Sequence, residues 1–467
     1  MSFIESSGLQ VLEHNADLDK CLPKAEGVPH QEVSFGRLAG PRIDYQRLWN
    51  SIHLTAQWGI IEGSEGMNRL ALSQDDKAVR EWFVQETRSL GCTTSIDAMG
   101  NLFAVYPGES PDMPPIAMGS HLDTQPAGGK YDGILGVLAA VEVIRALKEA
   151  CVKTWCPIAA VVWTNEEGAA FFPGCSGSSV WAGWVPLADA YDQKHCVTGQ
   201  SLGSALDEIN AKGTMASSSR VNPLQAHFEL HIEQGKLLET NQQSVGVVGR
   251  IQGIRRYAIS CHGRQEHAGT VRIPDRADAL IAAAKIVLKV EELAQAQDAC
   301  ATVGVLKIES PSPNTIPSRV DLTVDARHIE EATLDDLEQQ ITDYLESLSE
   351  MKRGWRFSNK RVWHSPALPF DPILLECIRS AAEAEVGETQ VRDMISFAGH
   401  DSAMTALQVP TAMIMVPSRG GVSHSPLEYT SMEHCGLGTQ TMLNAVLRYD
   451  NTLRGQKKGV NRRDSAL

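Results

Sequence analysis

The chain has 467 residues, 43% of them hydrophobic and 21% charged, with a formal net charge of -15. That length suits two or three domains with a sizeable core. The acidic balance argues against nucleic acid or an anionic membrane as the main partner. No stretch reaches the roughly 18–20 apolar residues of a membrane span. The first residues lack the basic and apolar regions of a secretory signal, and the ten cysteines are scattered, with no zinc-knuckle spacing. The expectation is a cytoplasmic protein with reduced thiols, and no local feature singles out a cysteine nucleophile.

Residues 1–40 mix Pro, Gly and charge without a sustained period and read as an N-terminal extension. Two amphipathic helices are expected within 45–90. Strands and helices then alternate: a buried strand at 116–120, an apolar helix at 134–147, a buried strand at 157–164 and an alternating strand at 225–231. This order predicts an α/β fold with a largely parallel sheet. The middle changes character. Residues 257–263 and 320–327 alternate apolar and polar, as strands with one wet face do, and 277–297 and 334–348 read as amphipathic helices. A smaller α+β domain inserted at 250–360 is the expectation from that change. The α/β pattern resumes with a helix at 371–386, a strand at 411–416 and a helix at 436–449, and 456–467 reads as a C-terminal tail.

Chemistry gathers at the ends of the buried strands, where α/β sheets place their sites. His121, Asp123 and, eleven residues past His121, Asp132 come after the first. Imidazole and carboxylate suit Zn²⁺, and Asp123 is placed to accept the second imidazole N–H of His121. Alone, His121 reads equally as a surface strand end and Asp132 as a helix cap. Glu166 and Glu167 come after the next strand; adjacent acids can divide metal binding and proton transfer between them, although a lone Glu-Glu pair is more often a solvated loop. His231 ends the strand of 225–231, and His424 lies in Ser418-Arg419-Gly420-Gly421-Val422-Ser423-His424. A lone His is more often structural, but four strand ends that each offer His, Asp or Glu fit a two-metal site bridged by one carboxylate.

The stretches GSHLDTQPAGGKYDGILGVLAA, TNEEGAAFFPGCSGSSVWAG, HIEQGKLLE, QEHAGT, FAGHDSA and VPSRGGVSHSPLE occur in that order. Jointly they resemble the carbamoylase or ureidohydrolase branch of the M20 metallopeptidase-like family, over about residues 45–450. That branch includes β-ureidopropionase, N-carbamoyl-L-amino acid hydrolase, and allantoate and ureidoglycolate amidohydrolases. The resemblance implies a two-zinc aminopeptidase-like α/β catalytic domain (41–249 and 361–455) with an inserted α+β lid at 250–360 that makes a homodimer. It implies metal ligands at His121, Asp132 (bridging), Glu167, His231 and His424, a general base at Glu166, and Asp123 as the partner of His121. His267 resembles the lid histidine that steadies the oxyanion in a neighbouring subunit's site. Gln234, Asn314, Arg327, Gly399 and His400 match substrate contacts. Without the joint pattern, His267 reads as a turn residue and Arg327 as a partner of a surface acid. One departure is Val271-Arg272-Ile273, where the branch continues Thr-Pro-Met after the lid motif.

The implied activity is hydrolysis of an N-carbamoyl amino acid to amino acid, carbon dioxide and ammonia. Two divalent ions would assist, Zn²⁺ by preference with Mn²⁺ or Co²⁺ as alternatives. Allantoate or ureidoglycolate, and then a dipeptide, are the alternative substrates.

Overall fold

The computed structural model describes residues 40–464 except Ser310 and Lys352, with side chains as far as Lys457; the extension expected over residues 1–39 lies outside them. Helices α1 (Tyr45–Thr55) and α2 (Gln74–Ser89) are started by Asp44 and Ser73, whose side chains accept from Arg47 N and Asp76 N. Strands β1 (Thr93–Ile96), β2 (Leu102–Tyr106) and β3 (Ile116–His121) lead into α3 (Ile134–Glu149), then β4 (Ile158–Trp163), α4 (Ser176–Trp181), α5 (Leu187–Tyr191) and α6 (Leu202–Glu208). Strand β5 (Ala226–Ile232), α7 (Leu237–Thr240) and β6 (Val245–Ile251) complete the first half. A second sheet begins with β7 (Gly253–His262) and β8 (Glu266–His267), and continues through α8 (Ala279–Ala296), β9 (Cys300–Ile308), β10 (Thr315–Ile316), β11 (Arg319–His328), α9 (Glu331–Glu350) and β12 (Arg356–Ser365). The chain closes with β13 (Leu368–Pro369), α10 (Pro372–Val386), β14 (Val391–Ser396), α11 (Asp401–Thr405), β15 (Thr411–Val416) and α12 (Met432–Asp464).

The large sheet runs β1-β2-β4-β3-β5-β15-β6-β13, with β14 also paired to β6. Its centre is parallel: β4, β3, β5 and β15 all point one way. The flanks are antiparallel at β1-β2, β2-β4, β15-β6 and β13-β6. The sheet is therefore mixed, where the sequence pattern predicts a largely parallel one. The four central strands are buried at every position, so they read as continuous apolar runs. Helix α3 is buried from Ile134 to Leu147 against β3, β4 and β5. The four parallel strands bring residues 121, 164, 232 and 417 to one edge.

The second sheet, β12-β7-β11-β9, is antiparallel and has its own core of Tyr257, Ile259, Leu322, Ile286 and Leu337 under α8 and α9. Strands β7 and β11 alternate buried and half-buried positions, as their sequence predicts. Strands β9 and β12 have no counterpart in the sequence pattern, and burial explains why. They lie at the sheet edges and are exposed at most positions, so no hydrophobic alternation marks them. Helix α12 continues to Asp464 instead of ending at 449. Among the described residues no helix is long and apolar enough to cross a membrane.

Candidate metal centre and active-site cleft

The edge where β3, β4, β5 and β15 end carries three imidazoles and three carboxylates. His121 is the last residue of β3, and its Nδ1 lies 2.9 Å from the Asp123 backbone carbonyl. His231, near the end of β5, has Nδ1 2.9 Å from the Ile232 carbonyl. A carbonyl only accepts, so both rings carry a proton on Nδ1, and it is Nε2 that each turns towards Asp132. Those Nε2 atoms are buried without a hydrogen bond, yet they lie 3.6 Å and 3.1 Å from Asp132 Oδ1. Two imidazole nitrogens turned on one buried carboxylate call for positive charge between them, carried either by protons on the rings or by a metal ion in their place. The donor set therefore fits a divalent metal ion.

Asp132 Oδ2 faces a second set. His424 Nε2 is 3.5 Å from it and 3.3 Å from Glu167 Oε2. His121, Asp132 and His231 thus form one group that could hold a metal ion, and Asp132, Glu167 and His424 form another. Asp132 belongs to both. Gly133 makes the approach possible: it sits at φ +67, and a Cβ there would lie 2.2 Å from the His121 ring.

Glu166 Oε2 is 3.4 Å from His121 Nε2. Burial first, then Asp401, Glu167 and Asp123, push its pKa well above the usual carboxylate range despite His121. Burial and Asp132 push Glu167 up to about 8. Burial resists charge on His121 as well, but Glu166, Asp132 and Asp123 hold its pKa well above the ordinary imidazole value. Asp132 goes the other way: burial opposes ionisation, and His231 and His121 outweigh it.

One expected contact is corrected. The Asp123 carboxylate does not take the His121 N–H; its backbone carbonyl does, and Asp123 Oδ1 stands 3.9 Å from Nδ1. Strand β3 stops at His121, so the period-2 geometry that would align the two side chains ends there. The carboxylate instead accepts from Glu166 N at 3.3 Å and Glu167 N at 3.2 Å. It fixes the turn that carries both acids.

The site opens into a cleft of about 200 Å³. One wall holds the acids and imidazoles with Gln234, Gly399 and His400, and the other holds Ile254, Arg256, Arg327 and Trp363 from the second sheet. Gln234 Nε2 donates to Asp132 Oδ2 at 2.8 Å. The His400 ring packs against His231 with centroids 4.4 Å apart; burial and then His231 push its pKa down to about 3, so it is neutral. His267 and Asn314 do not line this cleft. They sit together beside the second sheet, where β8 pairs with β10 and Ala268 N donates to the Asn314 carbonyl. Gly269 N donates to His267 Nδ1 at 3.0 Å, which leaves Nε2–H as an outward donor.

Three supporting residues escape a reading of the sequence. Glu428 Oε1 accepts from Tyr131 N at 2.9 Å and Asp132 N at 3.0 Å, tying the loop of His424 to the loop of Asp132. Its position four residues after His424 was the available signal. Glu229 accepts from Ser120 Oγ at 2.7 Å and from Ser402 N and Oγ at 3.1 and 2.5 Å, pinning the His400 loop to the sheet. Arg256 is the third; the alternation of β7 puts it on the face of Ile254.

The sequence profile of Peptidase family M20/M25/M40 matches residues 117–448, and the chain belongs to that family. It is a hydrolase acting on carbon–nitrogen amide bonds, of the carbamoylase branch. An N-carbamoyl-L-amino-acid amidohydrolase from Rhizobium meliloti is 37% identical over 409 residues, 87% of this chain and 96% of that protein. An allantoate amidohydrolase from Bacillus subtilis (strain 168) is 34% identical over 405 residues, 85% of this chain and 96% of that one. Among solved structures, an amidase of the hydantoinase/carbamoylase family from Burkholderia vietnamiensis matches with TM-score 0.79 and 36% identity, covering 87% of this chain and 97% of that one.

Proposed function

We propose that this chain is a metal-dependent amidohydrolase that cleaves the ureido bond of an N-carbamoyl amino acid, giving the amino acid, carbon dioxide and ammonia. The observation that carries the reading is Asp132, whose two oxygens face separate imidazole-bearing sets, with a third carboxyl, Glu166, 3.4 Å from His121 Nε2. His121, Asp132 and His231 would hold one divalent ion, and Asp132, Glu167 and His424 a second, with Zn²⁺ the preferred metal. Bound there, such ions would polarise the ureido carbonyl and acidify water.

The chain's own groups account for the proton traffic. Glu166 takes a proton from the attacking water as its oxygen bonds to the ureido carbon, then gives it to the terminal nitrogen as the carbon–nitrogen bond breaks. Ammonia leaves, and the remaining carbamate loses carbon dioxide to free the amine. Arg327 would receive the substrate carboxylate through the Nη hydrogens that Asp325 and Phe397 leave over, with Gln234, Gly399 and His400 placing the ureido group. His267 and Asn314 would serve the site of a second copy, completing it in a dimer formed through residues 250–360, with 41–249 and 361–455 as the catalytic domain. The exposed edge strand β9, with Val305 and Leu306 uncovered, supports such pairing. The nine described cysteines are all free thiols, which supports a cytoplasmic setting.

The second reading is an allantoate or ureidoglycolate substrate, supported by the allantoate relative. Ammonia release decides between them. The metal-loaded protein and a chelated control would meet N-carbamoyl-β-alanine, N-carbamoyl-L-amino acids, allantoate, ureidoglycolate and dipeptides. Metal-dependent ammonia from an N-carbamoyl amino acid is expected. Ammonia from allantoate alone would select the second reading, and dipeptide cleavage without ammonia would overturn both.

A further inference from the structure

We propose that Arg256 makes this site selective for ureido substrates that carry a second carboxylate, namely N-carbamoyl derivatives of amino acids with an acidic side chain. This rests on the ureidohydrolase reading above and names its substrate class.

Strands β7 and β11 pair so that Arg256 lies opposite Asp325 and Ile254 opposite Arg327. Asp325 accepts from Arg256 Nε at 2.7 Å, from Arg327 Nε at 2.7 Å and from Arg327 Nη2 at 3.3 Å. One carboxylate therefore stands between two guanidiniums and neutralises only one. Arg327 Nη1 donates further to the Phe397 carbonyl at 3.2 Å. Arg256 uses nothing beyond its Nε: among the described residues neither of its Nη atoms has a hydrogen-bond partner. Its plane is nonetheless held, since the guanidinium carbon lies 5.3 Å from the centre of the Phe172 ring. The side chain is only 29% exposed.

A guanidinium fixed at one edge by Asp325 and on one face by Phe172, with its donor fork unused at the wall of the cleft, is a receptor for an anion. The planar fork matches a carboxylate. A substrate with a single carboxylate can pair with only one of the two guanidiniums and leaves the other's donors and the surplus positive charge without a partner. A dicarboxylate satisfies both. Ile254 and Trp363, on the same wall, offer an apolar surface for the intervening methylenes.

The test compares kcat/KM for N-carbamoyl-L-glutamate and N-carbamoyl-L-aspartate with that for N-carbamoyl-L-methionine, a monocarboxylate whose side chain is neutral and of similar length. Wild type, Arg256→Gln and Arg256→Lys would be assayed by ammonia release, with thermal unfolding as the folding check. The wild type is expected to prefer a dicarboxylate. The Gln variant should lower that preference ratio about 10- to 100-fold, mostly through KM, the range for losing a charged hydrogen bond, and the Lys variant should recover part of it. A wild type that favours the methionine derivative, or a ratio unchanged in the Gln variant, overturns the role of Arg256 while leaving the ureidohydrolase reading intact. No ammonia from any ureido substrate overturns both.

Discussion

Glu428→Ala probes how the two halves of the metal centre are joined. Glu428 is buried, and its Oε1 is the acceptor for the backbone N–H groups of Tyr131 and Asp132. Truncation leaves two buried donors without an acceptor, at about 1–3 kcal/mol each, so a loss of about 2–6 kcal/mol of stability is expected. The Asp132 loop also loses the contact that sets it against the His424 loop. Outer contacts of this kind change metal affinity by about 10- to 100-fold. Glu428→Gln separates the two effects. Burial and Asp132 push the Glu428 pKa up to about 8, so the carboxyl is largely neutral near pH 7 and a carboxamide keeps both the acceptor and the charge state. Calorimetric titration of Zn²⁺ into chelator-stripped protein, run beside thermal unfolding, reads both quantities. The Ala variant should bind weakly and melt early, and the Gln variant should stay within a few-fold of wild type. An Ala variant that binds Zn²⁺ as tightly as wild type would refute the clamp.

Three further outcomes are expected. Glu166→Gln should retain Zn²⁺ and substrate binding but lower kcat about 10²- to 10⁴-fold, the range for a general acid–base group; ammonia release at the wild-type rate would remove Glu166 from the mechanism. Gly133→Ala forces a Cβ to within 2.2 Å of the His121 ring at φ +67, so it should cost at least about 1–3 kcal/mol and weaken Zn²⁺ binding, read by the same titration and melt. His227 is fully buried, and burial pushes its pKa from 6.5 down to about 4. The unfolded chain therefore binds more protons between those values, and its contribution is present above pH 6.5 and lost as pH falls towards 4. At about 1.36 kcal/mol per pKa unit it amounts to about 3 kcal/mol. His227→Gln keeps an acceptor for Trp163 Nε1 and should flatten the fall in denaturant-derived stability across that window, whereas an unchanged slope would place the acid sensitivity elsewhere.

The sequence is legible where the physics is local. Buried parallel strands read as apolar runs, and the ends of 116–121, 158–163 and 226–232 are where an α/β sheet gathers its chemistry, although only the joint pattern separates ligands from strand-end and loop residues there. His121, Asp132, Glu166, Glu167, His231 and His424 are brought together as the motifs imply. The partner of His121 departs from expectation for an equally local reason: pairing ends at His121, the chain turns, and a carbonyl reaches the ring before the Asp123 carboxylate does. Glu428 and Glu229 are hidden because their partners lie far along the chain. The place of Glu428 four residues after His424 marks it as close to the site, but nothing in the sequence says that Tyr131 and Asp132 are the groups it serves.

The second sheet carries the same lesson into specificity. Its strands β7 and β11 each have one wet face, and that alternation is visible in the sequence. It places Arg256 with Ile254 on one strand, and Asp325 with Arg327 on the other. What the alternation does not give is which wet face meets a cleft, because that depends on how a 2.7 Å contact from Arg256 to Asp325 and a ring at Phe172 arrange a side chain between two sheets. The edge that carries the candidate metal ligands is set by buried strands that the hydrophobic pattern marks. The substrate wall is set by half-exposed residues whose polarity is compatible with plain solvation. A change from Arg256 to a neutral residue would be nearly invisible to the fold, since the β7–β11 backbone pairing does not use the side chain, yet it would remove a donor fork at the cleft that the chain itself leaves unsatisfied. Selectivity in such a scaffold is therefore free to change on the wall formed by the second sheet while the edge that carries the candidate metal ligands stays fixed.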